Sequence, residues 1–168
     1  MTDVEGLRRF PLFGGLDDRQ LGLLAPVVIK RVVPAAQVVF REGDASTSVY
    51  MLMRGSVGTS KRMGLEPAAN ASTENPKQKL LVHLSAPQFF GEIGLISDLA
   101  RSATITAETE CELLELSRAE FERLANEDPV FGYRMVRNIA AALGQRLQRA
   151  DLDVLKLTTA LSLALGNR

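Results

Sequence analysis

Hydrophobic residues change their spacing twice along the chain, and the changes divide it into three parts. Before Val27 the apolar residues follow helical spacing, and from Val27 to Leu116 they form short runs broken by glycine and proline. After Pro129 helical spacing returns and continues almost to the end. Short β-branched runs between turns are typical of an all-β sandwich or barrel. The pattern predicts a β domain with a helical entry and a long C-terminal helix.

Capping residues mark the predicted helices outside the β region. Residues 3–10 are predicted as a short helix, followed by a turn at 11–16. Asp17 with Gln20 three residues later has the spacing of a capping box and predicts a helix to about residue 25. Ser117 with Glu120 has the same capping-box spacing and predicts a helix over 118–125. Asp128 and Pro129 are a typical cap and first residue of the last helix.

Seven β-strands are predicted between these helices. Residues 62–78 hold two prolines and few apolar side chains, so they are predicted to be a loop. We interpret this loop as an idle insertion, the alternative being a mobile flap near a ligand. Cys111 is expected to pack as a small apolar side chain, and His83 to be a core or edge residue. The predicted strands are 27–33, 38–41, 49–54, 57–61, 80–84, 103–107 and 111–116.

The last predicted helix carries a heptad pattern. Apolar residues recur at alternating steps of four and three, which is typical of a two-stranded coiled coil. We therefore expect a homodimer through residues 136–164. The alternative, a helix folded onto its own barrel, would explain only the first two or three turns. The positions of this heptad stripe are Val136, Ala140, Leu143, Leu147, Ala150, Val154, Leu157, Leu161 and Ala164.

Composition limits the classes of function. The chain has 168 residues, 46% of them hydrophobic, and a formal net charge of zero, so a general basic field for nucleic acid is absent. One cysteine and one histidine argue against an internal disulfide and a histidine-rich metal site. No apolar run reaches the roughly 20 residues of a membrane span, and the first residues do not resemble a signal peptide. A cytoplasmic protein that is not an enzyme is expected, with no metal and no cofactor.

The stretch FFGEIGLISDLARSATITA, residues 89–107, has the chemistry of an anion site. Gly91 allows the backbone to approach a ligand, and Glu92 adds a carboxylate. A single helical turn from Ile93 would offer free N–H groups, and the planar fork of Arg101 matches two phosphate oxygens. Ser102 adds a hydroxyl. The stretch suits a small ligand that carries both a phosphate and a hydroxyl group.

These residues also resemble a known family. FGEIGLISDLARSAT is similar to the phosphate-binding cassette of cyclic-nucleotide-binding domains, found in the bacterial catabolite activator family and in protein kinase A regulatory subunits. LFGGLDDRQLGLLA and VVFREGDASTSVYMLMRGSVGTS extend the resemblance. It implies that Glu92 accepts the ribose 2′-hydroxyl and that Arg101 holds the cyclic phosphate. It also implies ligand contacts from Gly91, Ile93, Ser102 and Ala103. Asp98 and Ala100 stand where the family often has glycine and proline.

The resemblance implies a mainly β fold, an eight-stranded jelly-roll β-barrel with short flanking helices and a long C-terminal α-helix. Residues 1–128 would bind the nucleotide, cAMP or possibly cGMP, and residues 129–168 would dimerise and pass the signal to an unidentified effector protein. Arg137, Asn138 and Gln145 are candidate contacts for the base. Because only residues 166–168 follow the helix, no helix-turn-helix and no direct DNA binding are expected. The alternatives are a coiled-coil protein with a relic barrel, a truncated transcription regulator and, least supported, a phosphodiesterase.

Overall fold

The computed structural model describes residues 4–62 and 78–166, so most of the predicted loop at 62–78 lies outside the described residues. Two short helices form the entry, α1 (Val4–Arg8) and α2 (Asp18–Leu24), with a 3₁₀ turn at Pro11–Phe13 between them. The predicted capping box is confirmed. The Asp17 carboxylate accepts from the backbone N–H of Gln20 at 2.9 Å, and the Gln20 amide oxygen accepts from the N–H of Asp17 at 3.3 Å.

In the described part of the chain, eight strands in two four-stranded antiparallel sheets form the β region. The sheets have the orders β1-β8-β3-β6 and β2-β7-β4-β5. Seven of the strands match the predicted runs. Strand β6 was missed because it follows directly on Pro87 and its residues were assigned to the start of the anion-site stretch. The strands are β1 (Ile29–Val33), β2 (Val38–Phe40), β3 (Ser48–Arg54), β4 (Ser56–Arg62), β5 (Gln78–Ser85), β6 (Gln88–Phe90), β7 (Thr104–Ala107) and β8 (Cys111–Ser117).

Three further helices complete the described fold, α3 (Ile93–Ile96), α4 (Arg118–Glu127) and α5 (Pro129–Gly166). The Ser117 hydroxyl caps α4 by accepting from the N–H of Glu120 at 3.2 Å. Among the described residues, the longest helix has 38 residues and the longest strand has 8. The description "mainly β" therefore fits the barrel but not the described chain as a whole, because the predicted helices make up a large share of it.

Two apolar cores lie on opposite faces of the sheet that contains β3 and β8. Leu52 and Leu113 point into the barrel, whereas Met51 and Leu114 point toward the helices. Both faces of β3 are therefore buried, which explains why its sequence is an unbroken apolar run. Cys111 lies in the barrel core as predicted, and burial raises the pKa of its thiol.

The first half of α5 packs on the helical core. Phe131, Met135 and Ile139 are buried there, and Leu143 packs against the same cluster. From Gly144 to Leu165 every side chain is exposed. Packing onto the protein's own core thus extends over about four turns, more than the two or three expected. Among the described residues, no helix is long and apolar enough to cross a membrane.

Asp128 joins α2 to the start of α5. One carboxylate oxygen accepts from the backbone N–H groups of Val130 and Phe131, both at 3.1 Å. The other accepts from the Gln20 side chain at 3.0 Å and pairs with Arg19. The bond from Gln20, followed by that from Phe131, lowers the pKa of Asp128 to about 2. The charged form is therefore the one that the fold stabilises.

Replacing Asp128 with asparagine is expected to lower the free energy of unfolding at pH 7. An aspartate in the unfolded chain has a pKa of about 3.9. Because the folded value is lower, the stabilisation is fully present above about pH 4 and is lost as the pH falls toward 2. Urea unfolding of both proteins between pH 7 and pH 2.5 should show a difference that shrinks with acidification. A difference that stays constant with pH would contradict this assignment.

Candidate ligand-binding site

A cavity of about 470 Å³ lies between the barrel and α5. Strands β4, β5 and β7 form one wall, and one face of α5 forms another. The structure brings all six predicted site residues to this cavity, although they come from two separate parts of the cassette. These six are Gly91, Glu92, Ile93, Arg101, Ser102 and Ala103.

Arg101 is a buried cation at the floor of the cavity, only 6% exposed. Its Nη1 donates to the carbonyl of Gly91 and its Nη2 to the hydroxyl of Ser48, both at 3.1 Å. The guanidinium carbon lies 4.2 Å from the centre of the Phe40 ring. Burial lowers the pKa of Arg101, yet none of the described carboxylates forms an ion pair with it. Its Nε has no hydrogen-bond partner among the described residues, so the site is electrostatically suited to an anion.

Position 91 requires glycine because of both its backbone conformation and its neighbouring atoms. Its φ of +76° is a value that favours glycine. A β-carbon at this position would lie 2.5 Å from Nη1 of Arg101 and 3.4 Å from the Ser48 carbonyl. Any side chain here would therefore displace the arginine.

Glu92 places a buried carboxylate in the same cavity. It is 1% exposed, and its Oε1 accepts a hydrogen bond from Arg146. Its Oε2 is buried and has no hydrogen-bond partner among the described residues. A buried carboxylate oxygen without a donor is costly, so this atom can accept a hydrogen bond from a hydroxyl group of a ligand.

Arg146 is a functional candidate that the sequence reasoning did not select. Besides pairing with Glu92, it donates from Nη2 to the carbonyl of Phe89 at 3.0 Å, and its guanidinium lies 5.6 Å from the Phe89 ring. It is thus a direct side-chain link between α5 and the cassette. Arg149, Ala150 and Asp153 line the cavity beside it.

The candidate base contacts on α5 lie outside this cavity. Arg137, Asn138 and Gln145 are not among its lining residues. The Asn138 amide instead donates to the carbonyls of Leu12 and Gly14, both at 2.9 Å. The apolar stripe that packs on the core, continued along α5 in steps of three and four, could have found the cavity residues. It runs through Phe131, Met135, Ile139 and the partly buried Ala142 to Arg146, Arg149 and Asp153.

Asp98, where the cassette departs from the family pattern, does not face the cavity. Its carboxylate is almost fully exposed and pairs with Arg118. His83 lies at the surface of β5, where it contacts Glu108 at 2.6 Å. Within residues 4–62 and 78–166, no group of three or more histidine, cysteine or acidic side chains could hold a metal ion.

Comparison with known proteins decides the family. Residues 30–128 match the family model described as the cyclic nucleotide-binding domain. The chain belongs to this family. The matched segment of this cyclic nucleotide-binding domain contains the whole cassette and every barrel strand except the first residue of β1. The resemblance stated from the sequence is therefore confirmed.

The relatives of this cyclic nucleotide-binding domain include regulators. The cyclic AMP receptor protein of Thermus thermophilus is 28% identical over 144 residues, which is 86% of this chain and 60% of that protein. The crystal structure of the Thermus thermophilus Catabolite Activator Protein matches with a TM-score of 0.70 at 28% identity, over 88% of this chain and 63% of that one. The regulatory domain of Toxoplasma gondii PKA, crystallised with cAMP, matches with a TM-score of 0.61 at 25% identity, over 72% of this chain and 42% of that one. The chain thus spans 60% of the length of the curated relative.

Proposed function

We propose that the chain is a sensor module that binds a cyclic nucleotide, preferably cAMP, in the cavity between the barrel and α5. The observation that carries the proposal is that one cavity holds both a buried cation that lacks an anion and a buried acceptor that lacks a hydrogen-bond donor within the described part of the chain. Among the described residues, the buried cation Arg101 has no ion-pair partner, and the buried acceptor Glu92 Oε2 has no hydrogen-bond donor. A cyclic nucleotide carries the phosphate and the ribose hydroxyl that would satisfy both.

The assignment of ligand groups follows from this chemistry. The cyclic phosphate would bind to Arg101 and the Ser102 hydroxyl, and the ribose 2′-hydroxyl would donate to Glu92. The base would then lie toward α5, where Arg149 and Asp153 line the cavity. The module binds its ligand reversibly and needs no metal or cofactor for this role.

Arg146 supports a route by which occupancy reaches α5. It bonds to Glu92 and to the Phe89 carbonyl, so a ligand hydroxyl at Glu92 would change the environment of the arginine. A ligand that interacts differently with two arrangements of α5 shifts the equilibrium between them. The output would be a change in the helix, read by a second copy of the chain or by an effector protein.

Isothermal titration with cAMP, cGMP and 5′-AMP tests the proposed function. We expect saturable binding with one cyclic nucleotide per chain, tighter for cAMP than for cGMP, and weaker binding of 5′-AMP. If cGMP bound more tightly than cAMP, the proposed sensor role would stand and cGMP would replace cAMP as the proposed ligand. No heat of binding from either cyclic nucleotide at high micromolar concentration, with the protein folded by circular dichroism, would contradict the proposal.

Replacing Glu92 with glutamine is expected to weaken cAMP binding by about 1 kcal/mol, or roughly fivefold. Glutamine keeps an oxygen acceptor for the ribose hydroxyl but loses the charge that strengthens the bond, so the effect should be smaller than that of removing Arg101. Titration calorimetry measures it. The control is Glu110→Gln, an exposed glutamate outside the cavity, which should bind like the wild type. If both variants bound cAMP with equal affinity, Glu92 would not be a ligand contact.

The proposed homodimer uses the part of the heptad stripe that remains exposed. Leu143 packs on its own core, so this position is not free for a partner chain, and the exposed Ala150 lines the cavity. Leu147, Val154, Leu157 and Leu161 are large apolar side chains, each at least 58% exposed. Their exposure supports a second helix packing along this stripe.

Replacing Val154 with aspartate is expected to convert a dimer into a monomer, because it places a charge in the apolar seam. Light scattering at several protein concentrations measures the mass. The matched control is Leu152→Asp, since Leu152 is also exposed on α5 but lies outside the heptad stripe. A wild-type monomer at all concentrations, or dissociation by the control alone, would contradict the proposed seam.

A further inference from the structure

Arg118, the first residue of α4, holds several parts of the cassette together without lining the cavity. Its Nε donates to the carbonyl of Gly94 at 2.6 Å, and its Nη2 donates to the carbonyl of Ser46 at 2.7 Å. It also donates to the Ser97 carbonyl and to the Asp98 carboxylate. Its side chain is 19% exposed. One guanidinium thus connects the short helix α3, the loop after it and the segment before β3.

The segment of residues 44–48 lies between Arg118 and Arg101. On one side, the backbone N–H of Arg118 donates to the Thr47 carbonyl at 2.8 Å. On the other, the backbone N–H of Arg101 donates to the Asp44 carbonyl at 2.9 Å, and Nη2 of Arg101 donates to the Ser48 hydroxyl. The position of the phosphate-site arginine therefore depends on a segment that Arg118 also binds.

Contacts between α3 and this segment leave no free space. A β-carbon on Gly94 would lie 2.6 Å from the Ser46 hydroxyl oxygen and 3.0 Å from the Ser48 carbonyl oxygen. A displacement of α3 would therefore move residues 46–48, and with them the hydroxyl that holds Arg101.

Among the described residues, no loop or turn hydrogen bond from a backbone N–H reaches the carbonyls of Gly94, Ser46 and Ser97, which Arg118 binds. Helix α3 has only four residues, so the carbonyls of its last turn cannot all bond within the helix. A cation at this end also complements the partial negative charge of the exposed carbonyls. Removing it would leave buried acceptors unpaired and would loosen the contact between α3 and the segment 44–48.

We propose that Arg118 is a positioning residue for the nucleotide site. It fixes α3 and residues 44–48 against each other, and through Asp44 and Ser48 it fixes the backbone and side chain of Arg101. This rests on the proposed function for its ligand, although the positioning of the cassette can be measured without one.

The experiment compares Arg118→Met and Arg118→Lys with the wild type by cAMP titration, thermal unfolding and hydrogen exchange. We expect both variants to bind about tenfold more weakly or worse, as sites do when a supporting residue is lost. Lysine should not rescue binding, because a single ammonium cannot reach acceptors on both segments. The amides of Gly94, Leu95, Ser97 and Arg101, all hydrogen-bonded in the cassette, should exchange faster, whereas those of β8 should not.

The matched control is Arg123→Met, since Arg123 lies on the same helix, is exposed, and forms its ion pairs with Glu120 and Glu127 of that helix. It should retain wild-type binding and cassette exchange. A lower melting temperature with unchanged affinity and unchanged cassette exchange in the Arg118 variants would overturn the proposal. If Arg118→Met does not fold, wild-type affinity of Arg118→Lys would overturn it. If the wild type binds neither cyclic nucleotide, the proposed function fails, while exchange at the four amides still decides the role of Arg118.

Discussion

Replacing Arg101 with leucine is expected to weaken cAMP binding by about 2–5 kcal/mol, or roughly 30- to 4,000-fold. Leucine would still fill the space beside Phe40, so the barrel core keeps its packing. The cyclic phosphate, however, would lose its buried cationic partner. In the free protein the change also removes a desolvated charge, so the variant should remain folded. Titration calorimetry gives the affinity, and circular dichroism checks the fold.

The control for this change is Arg137→Leu, the same substitution at an exposed position of α5 outside the cavity. It should bind cAMP with wild-type affinity. If Arg101→Leu binds as tightly as the wild type, the phosphate site is assigned to the wrong residue. If both variants lose affinity equally, the effect comes from overall charge and not from the cavity.

Replacing Phe131 with alanine is expected to lower the free energy of unfolding by about 3–5 kcal/mol. Phe131 is 1% exposed and its ring lies 6.2 Å from the ring of Phe121 on α4. Alanine would leave a cavity where α5 meets the helical core. Urea unfolding followed by circular dichroism measures the loss as a shift of the midpoint with little change in slope.

Tyr133 provides the comparison, because it is an aromatic residue two positions further along the same helix and is 67% exposed. Tyr133→Ala should change the free energy of unfolding by no more than about 0.5 kcal/mol. A small effect of Phe131→Ala would mean that the first half of α5 is not part of the core. The assignment of the cavity wall to the second half would then lose its support.

The cassette could be predicted from the sequence because its chemistry is local. Gly91 and Glu92 are adjacent, and Arg101 follows within ten residues, so their spacing along the chain carries most of the information. Likewise, Asp17 and Gln20 form a capping box whose partners are three residues apart. What the spacing could not show is that Arg101 takes its support from Ser48, which is 53 residues away.

The remaining features depend on contacts between distant parts of the chain. Strand β6 has three residues and exists because Phe89 pairs with Met51 of β3. Arg146 was not selected from the sequence, since nothing in its own sequence neighbourhood reveals that Glu92 lies opposite. A heptad pattern does not say which copy of the chain an apolar residue meets, which is why Leu143 was assigned to a dimer and is found on its own core.

A crystal structure of the chain grown with cAMP would show whether the cavity between the barrel and α5 is the nucleotide site. We expect a nucleotide in the cavity, with phosphate oxygens within hydrogen-bond distance of Arg101 and the ribose 2′-hydroxyl within hydrogen-bond distance of Glu92 Oε2. A nucleotide bound elsewhere, or in the cavity with its phosphate away from Arg101, would mean that the site is wrongly assigned.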